Sequence, residues 1–245
     1  MPLFDPTPSG KASALDREVS LEAYELLPGL KGAAGVDFHL EKLVLQQVSS
    51  DREFNVLDPQ AIQRLVEGLH ARSSAHFSAG GWMEERSTVF RGTYMEADSR
   101  FIHLGVDINV PAGMMVRFPI AGEVLKVEVS DDREVGWGAR VDIAPIGAPY
   151  VFLLGHLDPS GLIRSGACIP ATGAPVGTIG APPTNGNVFP HLHLQAVRRE
   201  VYDREVEIDG YGRVSEREQL AIDYPEPLRL FQLLRREPTQ NGVLP

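Results

Sequence analysis

The spacing of apolar positions changes character once along the chain. Between residues 20 and 75 they recur three and four apart, the period of a helix that buries one face. Leu21, Tyr24 and Leu27 form a short stripe that Ser20 caps and Pro28-Gly29 stops. Leu40, Leu43 and Val44 form a second stripe. The third is the clearest, with Asp58 as N-cap, Pro59 at the first helical position, and Ile62, Leu65, Val66 and Leu69 on one face. Past Ala79-Gly80-Gly81 the pattern becomes short β-branched runs broken by Gly, Pro and Asp. These runs predict strands at 88–94, 106–110, 115–118, 122–129, 139–143, 150–154, 175–179 and 191–197. The charge-dense segment 198–219 contains a predicted solvated hairpin at 208–214. Pro225-Glu226-Pro227 then opens a closing helix through Leu228, Phe231 and Leu234.

The expected fold is mainly β: a small antiparallel barrel or sandwich, preceded by an α-helical N-terminal region and closed by a short helix. The matching division is an arm at 1–19, the helical region at 20–85, a β domain at 86–236 and a tail at 237–245.

Composition narrows the partners. A net charge of −10 and a pI near 5.2 argue against nucleic acid, anionic membranes and anionic wall polymers as electrostatically attracted partners. The single cysteine, Cys168, has no intramolecular disulfide partner. No apolar run is long enough to span a bilayer. The start, Met1 to Pro8, has neither a basic end nor an apolar core, so no secretory signal and a cytoplasmic location are expected.

Candidate chemistry lies in the β-rich part. His191 and His193 are two apart, so a strand puts both rings on one face, roughly 6.6 Å between Cα atoms. One such ring can bind a metal while the other faces the same cavity. His103 and Asp107 are four apart in a segment whose Gly105, Val106, Ile108 and Pro111 disfavour a helix. A straight strand separates them by roughly 13 Å at Cα, too far for donors roughly 2 Å from one ion. If both bind, the backbone bends, and Gly105 permits it. His156 emerges at the end of the apolar run 151–154. The three segments together predict one metal site. Zinc in a catalytic site takes three protein ligands of His, Asp, Glu or Cys and leaves the fourth position to water. His39, His70 and His76 sit singly among helical residues and read as structural.

At these residues the chain resembles the M23 family of zinc metallopeptidases, the lysostaphin/LytM-type peptidoglycan endopeptidases. The resemblance covers about residues 100–197. It rests on His103-Leu104-Gly105-Val106-Asp107 followed by Pro111-Ala112-Gly113, on Phe118 to Val124, and on Gly136-Trp137-Gly138 before Val141-Asp142-Ile143. Gly155-His156-Leu157, Val176 to Gly180 and His191-Leu192-His193 complete it. Carried over by position, it makes His103, Asp107 and His193 the zinc ligands and His156 and His191 the catalytic histidines. It implies the family's duplicated-hybrid-motif β fold, hydrolysis of peptide bonds by a zinc-activated water, and a peptide or peptidoglycan-fragment substrate, with glycine-containing peptides as the model. Leu194 and Gln195 stand where the family usually has Phe and an acidic residue, and the loop 181–187 begins with a stiffer Ala-Pro-Pro.

Two other classes compete. A non-catalytic zinc-binding interaction protein on the same fold has no need for both His156 and His191. A lipoyl- or biotinyl-type carrier needs an exposed hairpin lysine, and Lys126, the only lysine after residue 42, falls in a predicted strand.

Overall fold

A computed structural model describes residues 23–130, 136–205 and 207–236. The arm 1–19 with the Ser20 cap and Leu21, and the tail 237–245, lie outside the described residues. The strands are β1 (Gly35–Phe38), β2 (Phe77–Gly80), β3 (Ile102–His103), β4 (Gly105–Asn109), β5 (Met115–Phe118) and β6 (Gly122–Val129), then β7 (Ala139–Pro145), β8 (Tyr150–Leu157), β9 (Cys168–Ile169), β10 (Ala174–Thr178), β11 (His191–Arg198) and β12 (Tyr211–Gly212). The helices are α1 (Leu40–Ser50), α2 (Pro59–Ser73), α3 (Arg199–Arg204), α4 (Arg217–Asp223) and α5 (Pro227–Arg236).

Eight strands form one sheet in the order β1-β2-β4-β11-β8-β7-β6-β9, with two-stranded ribbons β10-β5 and β12-β3 beside it. β1 and β2 pair in parallel and the other pairs are antiparallel, so the sheet is mixed. No closed barrel exists among the described residues, which corrects the barrel expectation. The sheet instead buries both faces. Along β8, Phe152 and Leu154 join a core with Val116 and Phe118 of β5, Val176 of β10 and Phe231 of α5. Val151 and Leu153 point the other way, into a core with Val201, Ile208 and Tyr224. A strand covered on both sides reads as an unbroken apolar run, which is why 151–154 shows no alternation.

The N-terminal helices form where the apolar stripes and caps require. Asp58 Oδ1 accepts from the Gln60 amide at 2.9 Å and Pro59 opens α2. The same region also carries β1 and β2, which the sequence reading missed. Each is four residues long, too short for a period of two to stand out. The helices α1 and α2 make the crossover that a parallel pair needs.

Two further expectations are corrected. Residues 88–94 form turns, not a strand. The Glu41 carboxylate accepts from the Thr88 and Val89 amides, so a side chain takes the bonds that a neighbouring strand would otherwise make. Residues 208–214 are not a self-contained hairpin: Tyr211 and Gly212 pair with His103 and Ile102 of β3. Gly212 sits so close to Leu220 that a Cβ would lie 2.4 Å from its Cδ1.

Candidate metal centre

β11 lies between β4 and β8, and its alternation sorts its side chains cleanly. Leu192, Leu194 and Ala196 enter the main core, while His191, His193 and Gln195 face the opposite side. Register places His193 across from Asp107 on β4 and from Gly155 on β8, so Asp107 meets it directly and His156 follows one residue on. His103 reaches the same point because the strand breaks at Leu104. β4 stays in the large sheet, and β3 pairs with β12. Gly105 sits at the break, where a Cβ would lie 2.6 Å from His193 Nε2 and 2.7 Å from the Leu194 carbonyl.

Three donor atoms converge. His103 Nε2 is 3.0 Å from His193 Nδ1 and 3.2 Å from Asp107 Oδ1, and His193 Nδ1 is 3.2 Å from the same oxygen. All three residues are buried. What each nitrogen carries follows from its far side. His103 Nδ1 is 2.8 Å from the Gly81 carbonyl, which only accepts, so the proton is on Nδ1 and Nε2 is a lone pair. His193 Nε2 is 3.0 Å from Gln195 Oε1, and Gln195 is oriented by its amide donating to the Asp209 carbonyl. Its proton is therefore on Nε2 and its lone pair on Nδ1. With both imidazoles neutral, two ring lone pairs and a carboxylate oxygen point at one another. That arrangement is repulsive unless a cation shares them. Donors roughly 2.0–2.1 Å from a tetrahedral zinc stand about 3.3 Å apart, close to the spacing here, and both histidines have the far-side acceptors that metal-ligating imidazoles use. The residues fit zinc.

The charges agree with this. Burial and the nearby Arg86 push the His103 imidazole down to about 3, so it is neutral near pH 7. Burial opposes ionisation of Asp107, but His103 and Arg86 outweigh it and hold the carboxyl well below its ordinary range. Both groups are in the protonation state that a metal requires.

His156 and His191 stand beside the donors with their rings 4.5 Å apart. Each donates from Nδ1 to a backbone carbonyl, His156 to Asn185 at 2.8 Å and His191 to Phe189 at 2.7 Å. Both therefore present Nε2 to the centre, and His191 Nε2 lies 3.4 Å from Asp107 Oδ1. His156 holds its place with φ +61°, a left-handed conformation that costs energy for a residue with a Cβ. Its amide donates to the Trp137 carbonyl and its carbonyl accepts from Gly180. Burial, His191 and His193 keep its imidazole well below the ordinary range. Trp137 stacks on His156 and meets His193 edge-on. Gly155 leaves it room: a Cβ there would lie 2.5 Å from the indole.

A cavity of about 900 Å³ lies at these residues, and Leu57, Phe90, Tyr94, Trp137 and Phe189 also line it. All five residues singled out from the sequence therefore meet at one place. Those that sequence reasoning missed are Gly81, Arg86, Tyr211 and the acceptor role of Gln195. Gln195 was findable, since it continues the His191, His193 alternation. Arg86 and Gly81 lie outside helices and strands and carry no periodic signal.

No family model matches the chain, and no curated protein matches it. Solved structures similar to part of it include the antimicrobial peptidase lysostaphin from Staphylococcus simulans, at 17% identity over 58% of this chain with a TM-score of 0.39. The chain spans 49% of the length of that lysostaphin chain. The catalytic domain of the same peptidase is 18% identical over 49% of this chain and 80% of its own, with a TM-score of 0.36. A zinc containing peptidase from Vibrio cholerae is 26% identical over 40% of this chain and 28% of its own, with a TM-score of 0.34.

Proposed function

We propose that the protein is a zinc-dependent endopeptidase that hydrolyses peptide bonds in peptides or peptidoglycan fragments, with glycine-containing peptides as the first substrates to try. The observation that carries this reading is the convergence of His103 Nε2, His193 Nδ1 and Asp107 Oδ1 within 3.2 Å of one another, beside two further imidazoles that turn Nε2 toward a cavity. His103, Asp107 and His193 would hold the ion. Zinc held there would supply a Lewis acid that polarises the scissile carbonyl and acidifies a water. His156 is neutral near pH 7 and accepts the water's proton at Nε2, then returns it to the leaving amine. The Asn185 carbonyl supports the ring as it gains charge. His191 faces the same space with Nε2, and with a proton on that nitrogen as well as on Nδ1 it would donate to the carbonyl oxygen as it becomes negative, an interaction that strengthens in the transition state. Trp137 covers the far side of both His156 and His193 and limits water there.

The second reading, a zinc-holding module without catalysis, draws on the deep burial of the donors, His103 and Asp107 each being 1% exposed. Structural zinc sites are closed in this way. The test measures zinc in protein purified without chelators, with His193→Ala as control, and then hydrolysis of glycyl peptides. Zinc with hydrolysis supports the peptidase. Zinc without hydrolysis across peptides and wall fragments favours the module, and absence of zinc from the wild type sinks both.

A further inference from the structure

Arg86 is a buried cation beside a site fitted to hold another. Its side chain is 2% exposed. A guanidinium out of water is costly unless its charge is matched and its donors are used. Here Nη2 donates to Asp107 Oδ2 at 2.8 Å, Nη1 to the Tyr211 hydroxyl at 2.8 Å and Nε to Glu84 Oε2 at 2.9 Å. Glu84 is anchored in turn. Its Oε2 accepts from the Leu40 amide and its Oε1 from the Glu41 amide, both at 3.2 Å, at the start of α1. Those amides and the helix dipole favour a carboxylate at that end. His39 Nδ1, 3.9 Å from Glu84 Oε1, is the other basic group facing it.

The same segment holds the other member of the pair, because the Gly81 carbonyl accepts from His103 Nδ1. Gly81 takes no side chain: at φ +91° a Cβ would lie 2.4 Å from Arg86 Nη2. Residues 81–86 therefore touch both His103 and Asp107 on the side away from the donor atoms.

A carboxylate can bind a metal through one oxygen or both. Resting on the zinc-centre reading above, we propose that Arg86 is a positioning residue of the metal centre: it occupies Asp107 Oδ2, leaves Oδ1 as the oxygen offered to the ion, and ties that choice through Glu84 to the start of α1. The N-terminal region thereby becomes part of the centre. Keeping Asp107 to one oxygen also keeps a coordination position free for water, as a catalytic site requires.

The test compares the full-length wild type with Arg86→Met, Arg86→Lys and Glu84→Gln. Zinc affinity is read by competition with a chromophoric chelator, coordination by visible absorption after cobalt(II) substitution, and folding by circular dichroism. Arg86→Met is expected to weaken zinc by about 10–100-fold, the range for loss of a group that orients a ligand. Its cobalt absorption is expected to fall toward the weaker bands of a higher coordination number. Arg86→Lys should regain part of the affinity but not the spectrum, since an ammonium cannot hold both Oδ2 and Tyr211 in a planar fork. Glu84→Gln should move both readings the same way, by less than about tenfold in affinity. Folded Arg86→Met with wild-type affinity and spectrum overturns the proposal. Should Arg86→Met fail to fold, wild-type readings in both Arg86→Lys and Glu84→Gln overturn it instead. A wild type that takes up neither zinc nor cobalt overturns the metal-centre reading itself.

Discussion

Strands β4, β11 and β8 and the segment 81–86 meet at the same centre but reach it by different physics. The strands deliver Asp107, His193, His191 and His156 from adjacent positions in one sheet, where register and alternation fix each direction. The segment 81–86 belongs to no sheet and is placed by one antiparallel bridge, Glu85 to Ile102, with backbone bonds to Phe101 and His103. Its further polar contacts reach the centre and the first helix: Gly81 to His103, Arg86 to Asp107 and Tyr211, and Glu84 to α1. The sheet sets which donors are present. The segment 81–86 sets which atom of His103 and of Asp107 faces the centre, and Gln195 does the same for His193. Rigid backbone can position a side chain to within an ångström or so, but a ring proton or a free carboxylate oxygen is decided only by what lies behind it.

The largest expected effect comes from breaking the sheet's contribution. His193→Ala or Asp107→Asn removes a donor, and zinc content of the purified protein should fall to background while the far-ultraviolet circular dichroism stays near wild type. Retained stoichiometric zinc in either variant would show that the donors are other residues.

Next is His156→Ala, which leaves the three donors in place. Activity on a confirmed substrate should drop by about 10²–10⁴-fold with zinc unchanged. Full activity in this variant would remove His156 from the mechanism and leave His191 as the base to test.

Gly105→Ala sharpens the comparison from the side of the sheet. The added Cβ meets His193 Nε2 and the Leu194 carbonyl inside van der Waals contact, and the latter is backbone that cannot move aside cheaply. A loss of about 1–3 kcal/mol in denaturant unfolding is expected, together with weaker zinc binding. A variant as stable as wild type would mean that the strand break at Leu104 has more slack than these distances imply.

Gln195→Ala probes the smaller, orienting kind of contribution. It removes the acceptor that keeps the His193 proton on Nε2, and zinc affinity should fall by about tenfold with little change in fold. An unchanged affinity would leave the tautomer to another group.

A separate readout is the apo protein's pH response. His103 takes up its proton near 6.5 when unfolded and only near 3 when folded, so over that range the unfolded state binds more protons. Stability therefore declines as pH falls from about 6.5 toward about 3. Asp107, whose folded value is depressed, adds stability above its ordinary range that is lost only at still lower pH. Urea unfolding in a chelator at pH 7 and about pH 5 should show the decline, and His103→Asn should flatten it. A wild-type slope in that variant would assign the pH dependence elsewhere.

Local rules made part of this molecule legible from the chain alone. Alternation put His191 and His193 on one face of a strand, the Asp58-Pro59 cap and apolar stripe located α2, and chain geometry required a bend between His103 and Asp107. Each rests on interactions within a few residues, and such interactions leave a period or a spacing to read. Where a side chain from elsewhere takes over a backbone bond, the local signal misleads, as when Glu41 binds the amides of residues 88 and 89 and no strand forms. β1 and β2 escaped because four residues hold too little period, and with them the sheet runs open from β1 at one edge to β9 at the other. The protonation pattern of the centre is the clearest case that only tertiary structure decided. Gly81, Asn185 and Phe189 act through backbone carbonyls, which every residue has, so nothing in their identity marks them. Arg86 acts through a charge that any surface arginine also carries, and only folding brings it, 21 residues away in sequence, to the second oxygen of Asp107.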